Sequence, residues 1–111
     1  MEPIRIVVVE DDPDFQYLIR QSLSAHPDFE LAACCRDGEG AYLACLREKP
    51  HVVLMDLALP ADPMEGASAA RHIRLETRAK VILLTSYEDP ATVVQASIRA
   101  FASAYVLKSQ F

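Results

Sequence analysis

Side chains that can do chemistry follow four short apolar runs in this chain of 111 residues. They are carboxylates after the first and second of these runs, a hydroxyl after the third and an ammonium after the last: Glu10 and Asp11, Asp56, Thr85 and Lys108. If the four runs are parallel strands of one sheet, these side chains meet at the carboxyl edge of that sheet, where open α/β sheets bind their ligands. We therefore expect one composite site.

Three carboxylates at one edge predict a metal site. Close carboxylates repel one another and raise each other's proton affinity unless a cation lies between them. Mg²⁺ prefers one or two carboxylates together with waters and phosphate oxygens. Glu10, Asp11 and Asp56 could supply those ligands.

The remaining groups favour phosphoryl transfer. The Lys108 ammonium offers a point charge to an oxyanion, and the Thr85 hydroxyl offers a hydrogen bond. Phosphoryl transfer needs a metal ion and positive groups around the transferred oxygens, because positioning and charge supply most of the catalysis. Asp56 would then be the nucleophile that forms an aspartyl phosphate.

The apolar runs are continuous, which is typical of strands covered on both faces in a parallel sheet. Three are 6–9, 52–55 and 81–84, and two weaker ones are 29–35 and 104–107. Stretches with helical spacing lie between the strands, so the predicted order is β-α-β-α-β-α-β-α-β. This alternation predicts a doubly wound α/β fold with a five-stranded parallel sheet.

Local signals define the predicted helix boundaries. Asp12-Pro13 and Asp89-Pro90 each place an N-cap before proline at the first helical position. Asp37-Gly38 begins the second helix, and Lys49-Pro50 must end it. The predicted strands begin about 25 residues apart, so five complete units need roughly 125 residues. We expect a single domain over residues 1–111 that stops one helix short, with no output domain, and whose uncovered apolar face favours self-association.

Composition excludes several classes of protein. The chain is 51% hydrophobic with a net charge of −5, which argues against a disordered polymer and against a phosphate-tracking nucleic-acid surface. No apolar run approaches the roughly 18 residues of a membrane span, and no signal peptide is visible. Three cysteines, Cys34, Cys35 and Cys45, are an odd number without metal spacing, so we expect reduced thiols in a cytoplasmic protein.

In sequence order, these features resemble the receiver domain of two-component response regulators over essentially the whole chain. The matching segments are IRIVVVEDDPDFQYLIRQSL, VVLMDLALP, VILLTS and AYVLKS. Each segment is a weak signal by itself, but together and in this order they are highly specific. The resemblance implies a flavodoxin-like sheet of strand order 2-1-3-4-5.

The resemblance also implies roles for individual residues. Asp56 would accept a phosphoryl group from a phosphohistidine of a sensor histidine kinase. Apart from this transfer and its own dephosphorylation, the chain would not act as an enzyme. Asp11 and Asp56 would ligate Mg²⁺, with Glu10 acting mainly through water and Ala58 supplying a backbone carbonyl. Thr85 would move to the phosphoryl oxygen, and Tyr105 would swing inward as the aromatic half of the switch.

Two segments, ASAYVLKS and YEDPATVVQAS, are similar to receivers of the NarL/LuxR-type regulators, which carry a helix-turn-helix. This similarity implies control of transcription, with DNA contacted only through an output domain and with homodimerisation as an option.

Two departures from the family pattern affect the surface. The interval from Pro60 to Gly66 is two residues longer than usual, and Phe101 and Ala104 replace two glycines. A left-handed residue at a helix end costs a non-glycine about 1 kcal/mol or more, so we expect the helix before Phe101 to end differently.

Other functions fit the sequence less well. A phosphorylation-independent interaction module would not need the intact acids, hydroxyl and lysine. A haloacid-dehalogenase-like phosphatase needs a second aspartate where this chain has Ala58. A dinucleotide or flavin binder needs a glycine-rich or hydroxyl-rich loop after the first strand, and here that loop is acidic.

Overall fold

A computed structural model describes residues 2–56, 65–86 and 90–110 of the chain. Strands and helices alternate along these residues as the sequence predicts. The strands are β1 Ile4–Val9, β2 Phe29–Cys35, β3 Val52–Asp56, β4 Lys80–Thr85 and β5 Ala104–Leu107. The helices are α1 Pro13–Ser24, α2 Gly38–Glu48, α3 Glu65–Glu76 and α4 Pro90–Ala100, followed by a turn of 3₁₀ helix at Lys108–Gln110.

The strands form one parallel sheet in the order β2-β1-β3-β4-β5. This order confirms the predicted doubly wound fold. β1 and β3 lie side by side, and β2 lies on one side of this pair while β4 and β5 lie on the other. The strand order therefore reverses between β1 and β3. In such sheets ligands bind at the carboxyl ends of the strands beside this switch point.

Apolar side chains on the two faces of the sheet build two separate cores. One face carries Val7, Met55 and Leu83 against α2, α3 and the end of α4. The other carries Val8 and Leu54 against α1. Successive strand residues point to opposite faces, so covering both faces explains why the runs are continuously apolar.

Aspartates cap the first two helices. The Asp12 side chain accepts a hydrogen bond from the Asp14 backbone N–H, and Pro13 takes the first helical position. The Asp37 side chain accepts from the Gly40 backbone N–H at 2.7 Å. These contacts confirm the predicted helix starts, because each carboxylate satisfies an N–H that has no partner within its helix. Asp89 lies outside the described residues.

The end of α4 corrects one expectation. Phe101 adopts the left-handed conformation (φ 54°) that a glycine would take, so the helix does not end differently. The Phe101 N–H donates to the Ile98 carbonyl, and the Ala102 N–H donates to the Ser97 carbonyl, which is the Schellman pairing. In addition, the Arg71 guanidinium lies 4.9 Å from the centre of the Phe101 ring. These contacts offset the steric cost of a side chain in this conformation.

Lys49 ends α2 in the same left-handed conformation (φ 49°), with an exposed side chain. We expect Lys49→Gly to raise the free energy of unfolding by about 0.5 kcal/mol. Glycine removes a conformational cost of about 1 kcal/mol or more but enlarges the unfolded ensemble. Urea unfolding measures the change. Lys49→Ala is the control, because alanine keeps the strain; an equal gain from alanine would contradict this explanation.

The cysteines and histidines lie in different parts of the fold. The three cysteines are free thiols, and Cys45 lies on the buried face of α2 in the core. The three histidines, His26, His51 and His72, are exposed. Among the described helices, none combines the length and apolarity that crossing a membrane requires.

Candidate functional site

The register of the central strands places the predicted site residues at one edge. Val9 pairs with Met55, so Glu10 and Asp56 follow at the same level on neighbouring strands. Thr85 pairs with Leu107, and Lys108 comes one residue later. The carboxyl ends of β1, β3, β4 and β5 therefore bring together residues that lie far apart in the sequence.

Lys108 connects two buried carboxylates. Its Nζ lies 2.6 Å from Glu10 Oε1 and 3.3 Å from Asp56 Oδ2. The Lys108 side chain is 20% exposed, whereas that of Glu10 is 0% and that of Asp56 is 3% exposed. Burial disfavours the lysine charge, but the hydrogen bond to Glu10 and the charges of Asp56 and Glu10 outweigh it and raise the pKa of Lys108. The ammonium is the counter-ion of this pair.

The environment of Glu10 strongly raises the pKa of its carboxyl group. Burial, and then its hydrogen bond with Asp56, raise the pKa of Glu10 from 4.5 to about 8, although Lys108 opposes this shift. Its second oxygen, Oε2, is buried and has no hydrogen-bond partner among the described residues. A carboxylate in that position lacks the partner that a buried charge requires, and a proton or a cation can supply it.

The donor set fits a hard divalent cation. Glu10, Asp11 and Asp56 can each place one carboxylate oxygen within 4.8 Å of the others. Glu10, whose Oε2 has no hydrogen-bond partner in the described part of the chain, is one of these three acids, and one ammonium cannot neutralise three carboxylates. Oxygen donors in this number, with room for waters, are what Mg²⁺ uses in proteins.

The other predicted site residues differ in how deeply they are buried. Thr85 is buried at 1% exposure, at the end of the strand next to Asp56. Tyr105, by contrast, is 48% exposed on β5, so its predicted inward swing stays a prediction. Ala58 and the segment from Pro60 toward Gly66 fall mostly in residues 57–64, which lie outside the described residues; Gly66 itself is buried near the start of α3.

Sequence reasoning missed two residues of α1 that border the site. Phe15 places its ring 4.8 Å from Lys108 Nζ, measured to the ring centre. Gln16 donates from Nε2 to the Glu10 backbone carbonyl at 3.1 Å. In the sequence, Phe15 is one of the apolar residues at helical spacing after Pro13. Its position four residues after Asp11, on the first turn that faces the sheet edge, was the available signal.

Comparisons with known proteins agree with this fold and site. The family model described as "Response regulator receiver domain" matches residues 6–110. The chain therefore belongs to the response regulator receiver family of two-component systems.

Its relatives carry different outputs. The chain is 32% identical over 106 residues to the transcriptional regulatory protein DegU of Brevibacillus brevis, covering 95% of this chain and 44% of that protein. It is 36% identical over 84 residues to protein-glutamate methylesterase/protein-glutamine glutaminase 2 of Anaeromyxobacter dehalogenans, covering 76% of this chain and 24% of that protein. This chain thus spans less than half the length of either relative.

Among solved structures, the signal receiver domain of the putative response regulator NarL from Mycobacterium tuberculosis superposes with a TM-score of 0.88. The two are 30% identical, and the alignment covers 97% of this chain and 86% of that one. This similarity confirms the predicted likeness to receivers of NarL-type regulators. The output of the present chain is a separate question, because a protein-glutamate methylesterase is also among the relatives.

Proposed function

We propose that Asp56 accepts a phosphoryl group from the phosphohistidine of a sensor histidine kinase and that this modification switches the domain. The observation that carries the proposal is the Lys108 ammonium held between Glu10 and Asp56 at a sheet edge with three carboxylates. Membership of the receiver family supports it. The chemistry needs no other enzymatic activity in this chain.

The transfer uses the residues of the site in distinct roles. An Asp56 carboxylate oxygen forms the new bond to phosphorus, and the phosphorus–nitrogen bond of the donor breaks, with its electron pair leaving on the imidazole. Glu10, Asp11 and Asp56, with the Ala58 carbonyl, would hold Mg²⁺, which when bound supplies positive charge to the phosphoryl oxygens. Lys108, already next to Asp56, donates hydrogen bonds to one of these oxygens.

The switch is proposed to run through β4 and β5. The Thr85 hydroxyl lies buried at the end of the strand beside Asp56 and would donate to a phosphoryl oxygen. Tyr105, half-exposed on the neighbouring strand, would move inward to fill the space behind Thr85. A new surface on α4 and β5 would then be available to a partner or to a second copy of the chain.

Control of transcription is the output that we propose, because DegU and NarL are among the relatives. DNA contact would then come from a part of the protein outside residues 1–111. Sequencing the gene downstream of the codon for Phe111 tests this proposal. A linker followed by a basic helix-turn-helix supports it, whereas a methylesterase domain contradicts it.

The phosphoacceptor role has a direct test. With Mg²⁺ and acetyl phosphate, we expect the intact mass to rise by one phosphoryl group, and Asp56→Asn to show no such gain. Asp14→Asn is the matched control, since Asp14 is an exposed acid beside the site and takes no part in it. An unmodified wild-type protein, or equal labelling of Asp56→Asn, would overturn the proposal.

A further inference from the structure

The aromatic ring of Phe15 faces the charged group of the site. Lys108 Nζ lies 4.8 Å from the ring centre, within the roughly 6 Å over which a cation is attracted to an aromatic face. The same ammonium contacts Glu10 at 2.6 Å and Asp56 at 3.3 Å. Two carboxylates and one ring therefore surround it, and only a fifth of the lysine side chain meets water.

Contacts at the start of α1 and with the core hold the Phe15 ring in place. Asp12 caps α1, and Gln16 ties its first turn to the Glu10 carbonyl. Phe15 packs against the core on the α1 side of the sheet, where Ile19, one helical turn later, is fully buried. Lys108, in contrast, is a four-carbon stem at the start of a short 3₁₀ turn. The ring is thus one wall of the space that holds the Lys108 ammonium.

We propose that Phe15 is a positioning residue that holds the Lys108 ammonium in the site, beside Glu10 and Asp56. This inference rests on the proposed phosphoacceptor function. Lys108 lies closer to Glu10 than to Asp56, so it must shift toward the Asp56 side to reach an oxygen attached there. A cation gains from an aromatic face over a broad area, so the ring supports the ammonium during that shift, and it keeps water from one side of it.

A purely structural role for Phe15 makes a different prediction. As a core residue, it would be replaced equally well by any apolar group of similar size. As a support for Lys108, it needs an electron-rich face. Phe15→Leu keeps apolar volume but removes the ring, whereas pentafluorophenylalanine at the same position keeps the ring shape and reverses its electrostatic face. Phe15→Tyr keeps both the shape and the face and is the conservative control.

The first measurement is the NMR shift of the Lys108 Hε protons, which requires neither metal nor phosphoryl group. The ring over the ammonium should move these signals upfield in the wild-type protein and in Phe15→Tyr. In Phe15→Leu they should return to the ordinary lysine position. Signals at that position already in the wild-type protein would overturn the inference.

The second measurement is the affinity for beryllofluoride, a phosphoryl analogue, in the presence of Mg²⁺. We expect about tenfold weaker binding for Phe15→Leu and for the pentafluoro protein, with binding unchanged in Phe15→Tyr. Mg²⁺ alone should bind with unchanged affinity, because its carboxylates are intact. In a Lys108→Met background, Phe15→Leu should cause no further loss, because the ring then has no cation to hold.

The outcomes separate the two proposals. If beryllofluoride binds the wild-type, Leu and pentafluoro proteins equally, the positioning role is wrong and the phosphoacceptor function stands. If the Leu protein binds weakly and the pentafluoro protein binds normally, Phe15 is a core residue only. If the wild-type protein does not bind beryllofluoride at all, the proposed function fails, and the positioning role fails with it.

Discussion

Lys108→Met is expected to lower the free energy of unfolding of the metal-free protein by about 3 kcal/mol at pH 9, and by less at pH 6. The substitution leaves Glu10 and Asp56 buried without their counter-ion, and breaking a buried ion pair from one side costs a few kcal/mol. The pKa of Glu10 is raised to about 8 even beside Lys108, so near pH 6 this carboxyl takes up a proton and relieves the repulsion.

Urea unfolding in a chelator at the two pH values measures this effect. Lys80→Met is the matched control, because Lys80 is exposed at the start of β4 and should give no comparable loss. Mg²⁺ should restore much of the stability lost by Lys108→Met, since the ion binds the folded state and replaces the missing charge. Equal losses at pH 6 and pH 9, or no recovery with Mg²⁺, would show that the pair is not the source.

Mg²⁺ affinity is expected to rise with pH and to level off above about pH 8. Folding raises the pKa of Glu10 to about 8, so below that pH the carboxyl is largely neutral and the ion must displace its proton. Each unit of pH below 8 should therefore weaken Mg²⁺ binding by up to about tenfold, with proton release on binding. Above pH 8 the carboxylate is already ionised and no further gain is expected.

Calorimetric titration with Mg²⁺ in buffers of different ionisation enthalpy measures both the affinity and the protons released. Glu10→Gln is the informative variant. It should bind Mg²⁺ more weakly than the wild-type protein at pH 9, but with little change in affinity between pH 6 and pH 9. A steep pH dependence that persists in Glu10→Gln would assign the proton to another group.

The same shift has a consequence for stability. Between the unfolded and folded pKa values of Glu10, the folded protein holds a proton that the unfolded chain has lost. The contribution of Glu10 to stability is therefore full below about pH 4.5 and is lost as the pH rises toward 8. Burial of this acid makes the metal-free protein less stable at alkaline pH. Binding of a cation would restore stability, because it neutralises the buried carboxylate.

The sequence by itself was enough to predict the fold and to predict that its acids and a lysine meet at one edge of the sheet. Continuous apolar runs such as 6–9 and 52–55 require cover on both faces, and that requirement specifies a parallel sheet. Asp12 and Asp37 were recognisable as caps because a cap acts within three residues of its own position. Glu10, Asp56 and Lys108 were predicted to meet because parallel strands end at one edge.

The tertiary structure alone decided how these residues interact. Glu10 and Lys108 are separated by 98 positions, and whether their side chains touch depends on the register of the strands between them. The orphaned Glu10 oxygen and the Phe15 ring over Lys108 depend on the same assembly. Phe101 is a further example. The left-handed conformation is sterically unfavourable for phenylalanine, but contacts with Ser97, Ile98 and Arg71 offset this cost. Local signals set the elements, whereas distances of a few ångströms between them follow from packing the whole chain.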